Sequence, residues 1–202
     1  MPGAQSHVTA ADLRRAAAVS AATLRPLTDR DWSIKAHHLS WSCRRTLDYM
    51  LNCLAWYAHD LANEITIEEG AARAGTPHYG IPVLIRTIET LAEVLAIVAD
   101  AKPAVARASH DWGFADPEGF LAMGTIEIVL HTWDIISELG GDFVEPAAID
   151  DICGRLLTRL FPDAPAGHPS FATLLYVTGR GNLPELSPVT RWRWHSAPIG
   201  ER

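Results

Sequence analysis

Between Gly80 and Lys102, Leu84, Ile88, Leu91, Leu95 and Val98 recur at intervals of three and four residues. Only a helix brings side chains so spaced onto one side. The segment therefore predicts a helix over 81–99 whose apolar stripe needs a partner surface. The same logic runs along the chain. Residues 9–25 predict a helix with Thr9 as its cap, Asp12 three residues on and Pro26 at its end. Leu47, Met50, Leu51, Leu54 and Ala58 fall near helical spacing within a second helix over 42–62. A long helix over 116–139 has Asp116 to cap it, Pro117 in its first turn and Gly140-Gly141 to stop it. Shorter helices are predicted over 146–160, ahead of Pro162, and over 170–178, with Ser170 as cap and Gly179 as stop.

The connections differ in character. Residues 27–40 form a link anchored by Trp32. Residues 64–80 are irregular, broken by Gly70, Gly75, Pro77 and Gly80, with a short extended piece at 65–67. Residues 104–115 hold an extended stretch ending at Gly113. The tail over 189–196 alternates as a strand does, with Trp192 and Trp194 on one face and Arg191, Arg193 and His195 on the other.

Four long helices with longer crossovers, and neither repeat nor linker between them, predict one all-α domain over 1–202. Its expected form is a four-helix bundle with extra C-terminal helices and a short strand-like tail. A chain of 202 residues suffices for one buried core and is short for two full domains. With 48% hydrophobic and 20% charged residues the composition is globular. The formal net charge of −7, with scattered Lys and Arg, argues against nucleic-acid binding, which needs a clustered basic face. No run of about 18 apolar residues signals a membrane span. The N-terminus lacks the pattern of a signal peptide. Cys43, Cys53 and Cys153 show no paired spacing and read as reduced, buried thiols, so a cytoplasmic location is expected.

Glu127 and His131 are the best candidates for chemistry. Four apart on the helix over 116–139, they project from one face among Ile128, Val129, Leu130 and Ile135. A carboxylate and an imidazole in an apolar stripe need partners, because burying either alone is costly. Spacing alone favours a bond between the two. A divalent metal shared with a facing helix would satisfy both as well. Asp134 is placed to orient a neighbouring side chain or to meet an arginine, and Trp133 to pack. The sequence contains no phosphate loop, dinucleotide fingerprint or nucleophile elbow, and Gly179-Arg180-Gly181 reads as a turn.

Trp32, Trp41-Ser42-Cys43, the run Glu127 to Asp134, and the tail from Leu183-Pro184 through Arg191-Trp192-Arg193-Trp194-His195 together resemble the DinB-like superfamily. The likeness is greatest to its actinobacterial maleylpyruvate isomerase N-terminal-type domains and extends over residues 25–198. The resemblance implies an up-down-down-up four-helix bundle holding zinc or nickel between helices. It implies as ligands a His early in the second helix, plus a Glu or His and a further His four apart in a later helix. Family members with an intact site include mycothiol- or bacillithiol-dependent isomerases and transferases and some metal-dependent hydrolases.

Glu127 and His131 match the second and third ligand positions. The first, eight residues after Trp41, is Tyr49. A phenol with a pKa near about 10 is a poor zinc ligand at neutral pH. It can instead donate a hydrogen bond to Glu127 across the bundle and satisfy the carboxylate without metal. Cys53 is the substitute ligand that thiolate chemistry offers, about 40° round and about 6 Å along the helix from Tyr49. His59, about 80° and about 15 Å away, falls on another layer. His37 and His38 precede the second helix and can fold over the bundle mouth, while His78, His110, His168 and His195 each stand alone.

Two functions follow. In the first, which is the expectation, Tyr49, Glu127 and His131 form a satisfied polar network in a metal-free domain that binds a small molecule or a partner. In the second, a divalent metal at Glu127, His131 and a substitute ligand activates a thiol such as mycothiol for an isomerase or S-transferase reaction, with Tyr49 as acid. The two differ on whether the chain is an enzyme. Both expect a small-molecule or thiol partner, neither expects nucleic acid or a membrane, and both are compatible with a homodimer.

Overall fold

The computed structural model describes residues 7–64 and 79–201. The extended piece expected at 65–67, the breakers Gly70, Gly75 and Pro77, and His78 lie outside the described residues. The chain forms α1 (Ala10–Leu24), α2 (Cys43–Asn63), α3 (Ile81–Ala101), α4 (Pro117–Leu139), α5 (Pro146–Leu160) and α6 (Ser170–Val177). Between α3 and α4 lies an antiparallel hairpin, β1 (Ala108–His110) with β2 (Gly113–Ala115), where the extended stretch was expected. Each helix begins and ends within two residues of its predicted bounds.

Local chemistry explains these bounds. Thr9 accepts a bond from the Asp12 N–H while Asp12 accepts one from the Thr9 N–H, so two otherwise unpaired donors are satisfied reciprocally. Ser42 caps α2 through the Arg45 N–H, and Asp116 caps α4 through the Gly119 N–H. Gly140 ends α4 at φ 79°, in the left-handed region that favours glycine. Ser170 differs from expectation: it is the first helical residue of α6 and not its cap. The N–H of the next residue, Phe171, goes instead to the Asp150 carboxylate of α5.

Helices α1 and α2 each pack against both α3 and α4, and α5 joins α4 to α6. The apolar stripes meet in one core. Helix α4 is the most enclosed element. By length and composition it could cross a membrane, yet 94% of its apolar window is buried inside the protein, so it serves as the central core helix. Gly124 permits this. A Cβ there would lie 2.6 Å from Leu95 Cδ2 of α3 and 3.2 Å from Leu54 Cδ2 of α2.

The tail departs from the expected strand. Among the described residues it pairs with no strand, because its carbonyls are taken by a side chain. Arg159 of α5, with no exposed surface, donates to the carbonyls of His195 (3.2 Å), Ser196 (3.0 Å) and Ala197 (2.9 Å) and to Asp116 Oδ1 (2.8 Å). The His195 N–H donates to the Leu160 carbonyl, and the Ser196 hydroxyl to the Trp112 carbonyl. Gly119 makes room for this clamp, since a Cβ there would meet both Arg159 Nη2 and Ser196 O at 2.8 Å. The tail is thereby fixed across the hairpin end of the bundle.

Asp116→Ala removes both the cap of α4 and the carboxylate facing a buried guanidinium. It should lower the free energy of unfolding in urea by about 2–4 kcal/mol.

Candidate functional site

Glu127 and His131 lie one turn apart on α4, each 7% exposed. His131 Nε2 is 2.9 Å from Glu127 Oε2, and Nδ1 is 3.0 Å from Asp134 Oδ2. Asp134 is fully buried and is gripped from the far side by Arg180, in the turn after α6. Arg180 Nε donates to Oδ1 at 3.0 Å and Nη2 to Oδ2 at 2.9 Å. At the other end, the Tyr57 hydroxyl of α2 donates to Glu127 Oε1 at 3.1 Å. A continuous polar chain, Tyr57–Glu127–His131–Asp134–Arg180, thus crosses the core from α2 through α4. Its two carboxylates alternate with its two cations and balance them.

Protonation follows from this geometry. Burial disfavours the imidazolium of His131. The hydrogen bonds and charges of Asp134 and Glu127 outweigh that penalty and push its pKa up to about 9. Burial raises the Glu127 carboxyl, but the bond and charge of His131, with the Tyr57 hydroxyl and Arg180, bring it below its usual range. Asp134 is lowered in the same way by His131 and Arg180 against its burial. Burial, then the Glu127 charge, pushes the Tyr57 hydroxyl well above its ordinary value, so it stays a proton donor.

The sequence reading assigns the phenol on Glu127 to Tyr49, whereas the hydroxyl bonded to Glu127 Oε1 is that of Tyr57, eight residues further along α2. Tyr49 is nearby. Its ring meets His131 edge-on at 5.4 Å between centroids and Trp41 at 4.8 Å. Tyr49, Cys53 and Tyr57 stand four apart, so the spacing already placed them along one side of α2. Arg180 gave no such signal. It is 46 residues from Asp134, and nothing local links them.

Other candidates separate. Cys53 is buried on α2, Cys43 and Cys153 are also buried, and none of the three is in a disulfide. Burial is the largest effect on Cys43, whose pKa is pushed up to about 11. His59 pairs with Asp60 at 2.9 Å, away from the polar chain. His37 packs on Trp133 at 4.4 Å and on His38 at 4.8 Å. The His38 pKa is lowered by burial and by the Arg180 charge. His110, expected to stand alone, is buried beside Tyr57 at 5.6 Å and accepts the Trp112 N–H at Nδ1. Among the described residues no group of three or more His, Cys, Asp and Glu is arranged to hold a metal ion.

A cavity of about 290 Å³ borders Glu127 and His131. Trp41 precedes α2, Trp56 lies within it, Trp112 comes from the hairpin turn, and Trp192 and Trp194 come from the tail. Five of the seven tryptophans in the chain line this one space. Tyr49, Tyr57 and His110 complete the aromatic wall, and exposed Asp111 joins the lining. The tail follows its alternation only in part, because Trp192 borders a second groove as well as this cavity. Arg191, Arg193 and His195 line that groove beside Phe161 and Tyr176.

The pKa of His131 lies above the ordinary 6.5, so its bound proton favours the folded state. That contribution is complete below about 6.5 and is lost as pH rises through about 9. The free energy of unfolding in denaturant should fall across this window, and much less so in His131→Gln. Arg180→Met leaves Asp134 buried with one partner fewer and should cost about 3–5 kcal/mol in the same measurement. Compared with family models, with curated proteins and with solved structures, the chain matches none.

Proposed function

We propose that the chain is a DinB-like helical-bundle domain of the maleylpyruvate isomerase N-terminal type, with a degenerate metal site, which binds a small molecule without a metal. The observation that carries this reading is that both ring nitrogens of His131 are held by carboxylates. A metal ligand must present a lone pair, and an imidazolium between Glu127 and Asp134 has none to present. The remaining family ligand position is a phenol packed edge-on against that ring. Zinc takes three protein ligands even in its open sites, and beside Glu127 and His131 the remaining family position offers only a phenol, which does not fit that requirement. Further support comes from the runs that carry the resemblance. Trp41, the segment around Glu127 and His131, and the tail tryptophans are far apart in the chain, yet all border one cavity.

In this reading the polar chain is the floor of the binding site. It fixes one carboxylate, Glu127, at the cavity wall. It also keeps His131 protonated below about pH 9, so the imidazole is neither base nor nucleophile near neutrality. The competing reading, a metal- and thiol-dependent isomerase or S-transferase, needs a cation at Glu127 and His131 to lower the pKa of the thiol.

Elemental analysis of protein purified without chelator separates the two. Zinc and nickel should be well below one per chain and unchanged in Glu127→Ala and His131→Ala. About one metal per chain, lost in those variants, would overturn the metal-free reading and support the enzyme instead. Tyr49→His should supply an imidazole as the third ligand beside Glu127 and His131 and raise zinc affinity in a calorimetric titration. No gain would show that Tyr49 does not occupy the first ligand position.

A further inference from the structure

The groove on the other side of the tail encloses about 430 Å³, and its charges do not cancel. Arg191, Arg193 and His195 alternate along the tail and all reach this space, while Trp194 turns to the tryptophan cavity. The acid in the lining is Asp163. Two permanent cations therefore face one carboxylate before any proton on His195 is counted. Arg191 and Arg193 are exposed, and among the described residues neither makes a hydrogen bond or an ion pair, with Asp163 or with any other acid. The arginines that pin the neighbouring segments differ in this respect, since Arg159 has Asp116 and Arg180 has Asp134. The whole chain carries −7, so two unanswered guanidinium groups in one groove run against its overall charge.

The remaining walls are mainly apolar. Phe161 follows α5, Val177 ends α6, and Leu186 and Val189 come from the segment after it. Leu186 is 39% exposed, so apolar surface lies open beside the two cations. The walls are also fixed in advance. Arg159 holds the carbonyls of His195, Ser196 and Ala197, and the His195 N–H is on the Leu160 carbonyl. The Tyr176 hydroxyl ties down the segment that carries Leu186 by donating to the Ser187 carbonyl at 2.8 Å. An inorganic anion would meet the guanidinium groups and leave the apolar wall bare. A neutral apolar molecule would cover the wall and make no use of the cations. We infer that this groove binds an organic anion, its carboxylate or phosphate on Arg191 and Arg193 and its apolar body along Phe161, Val177 and Leu186. The planar fork of arginine matches the paired oxygens of either group. A space of about 430 Å³ falls within the range of small-molecule sites. The inference goes beyond the reading of the tryptophan cavity and stands whether or not that cavity holds a metal.

The test uses the purified full chain, with calorimetry and the fluorescence of Trp192 at the groove edge as readouts. The probes are benzoate, phenyl phosphate, inorganic phosphate and benzyl alcohol, an uncharged analogue of benzoate. At least one of the two aromatic anions should bind saturably and at least about tenfold more tightly than benzyl alcohol, and the tighter of the two names the acidic group. The double variant Arg191→Gln/Arg193→Gln should bring that anion down to the level of benzyl alcohol. Both positions are exposed, so its thermal midpoint should match the parent's. Arg191→Lys/Arg193→Lys keeps the charge without the fork and should fall between the two. Aromatic anions that bind no more tightly than benzyl alcohol, that do not saturate by about 10 mM, or that bind the glutamine variant unchanged would overturn the assignment. Inorganic phosphate binding as tightly as phenyl phosphate would overturn the role given to the apolar wall.

Discussion

The Asp134 carboxylate has no exposed surface, sits in the last third of the most enclosed helix, and is tolerated there because two cations reach it. An isolated carboxylate in such a place would be protonated or would prevent folding. Arg180 grips it as a two-pronged donor, and His131 supplies the third bond. Much else follows. Arg180 must arrive from beyond α6, so the segment after α6 is pinned to the bundle. His131 must be protonated and turned so that its other nitrogen meets Glu127. Glu127 in turn holds Tyr57 on α2. One buried charge thereby ties α4 to α2 and to the turn after α6.

A second arginine does the same work at the other end of α4. Arg159 is fully buried, caps the arrangement through Asp116, and collects three consecutive tail carbonyls. An arginine suits both places because its planar fork offers several donors in fixed directions, which a lysine does not. Between them, Arg159 and Arg180 decide where Trp192 and Trp194 lie. The tail's share of the aromatic wall is thus tied to two buried ion pairs, which couples part of the site's shape to the stability of the domain.

Much of the candidate site was legible in the sequence. Glu127 and His131 share a helical face by spacing, and an apolar environment forces them to find partners. Asp134 was recognisable as a residue that either orients a neighbour or meets an arginine, and it does both. The alternation of the tail separated Trp194 from Arg191, Arg193 and His195, but Trp192 borders both the cavity and their groove. What misled was the choice between Tyr49 and Tyr57. Both lie on one side of α2, and which of them reaches Glu127 depends on how far α2 is displaced along its axis relative to α4. Eight residues of helix rise about 12 Å, so which phenol is in register with Glu127 changes with a shift of about two turns that no local pattern encodes.

The sequence by itself determined the helices, their caps and stops, the hairpin region and the placing of an acid and an imidazole on one buried face. These depend on interactions between residues a few positions apart, which spacing and side-chain chemistry specify directly. Only the tertiary structure decided which phenol meets Glu127, which arginine neutralises Asp134, that the tail lies unpaired under Arg159, and that five tryptophans enclose one cavity. Those contacts join residues tens of positions apart. Their partners are selected by how the packed helices align in depth and rotation, a property of the whole core and of no single segment.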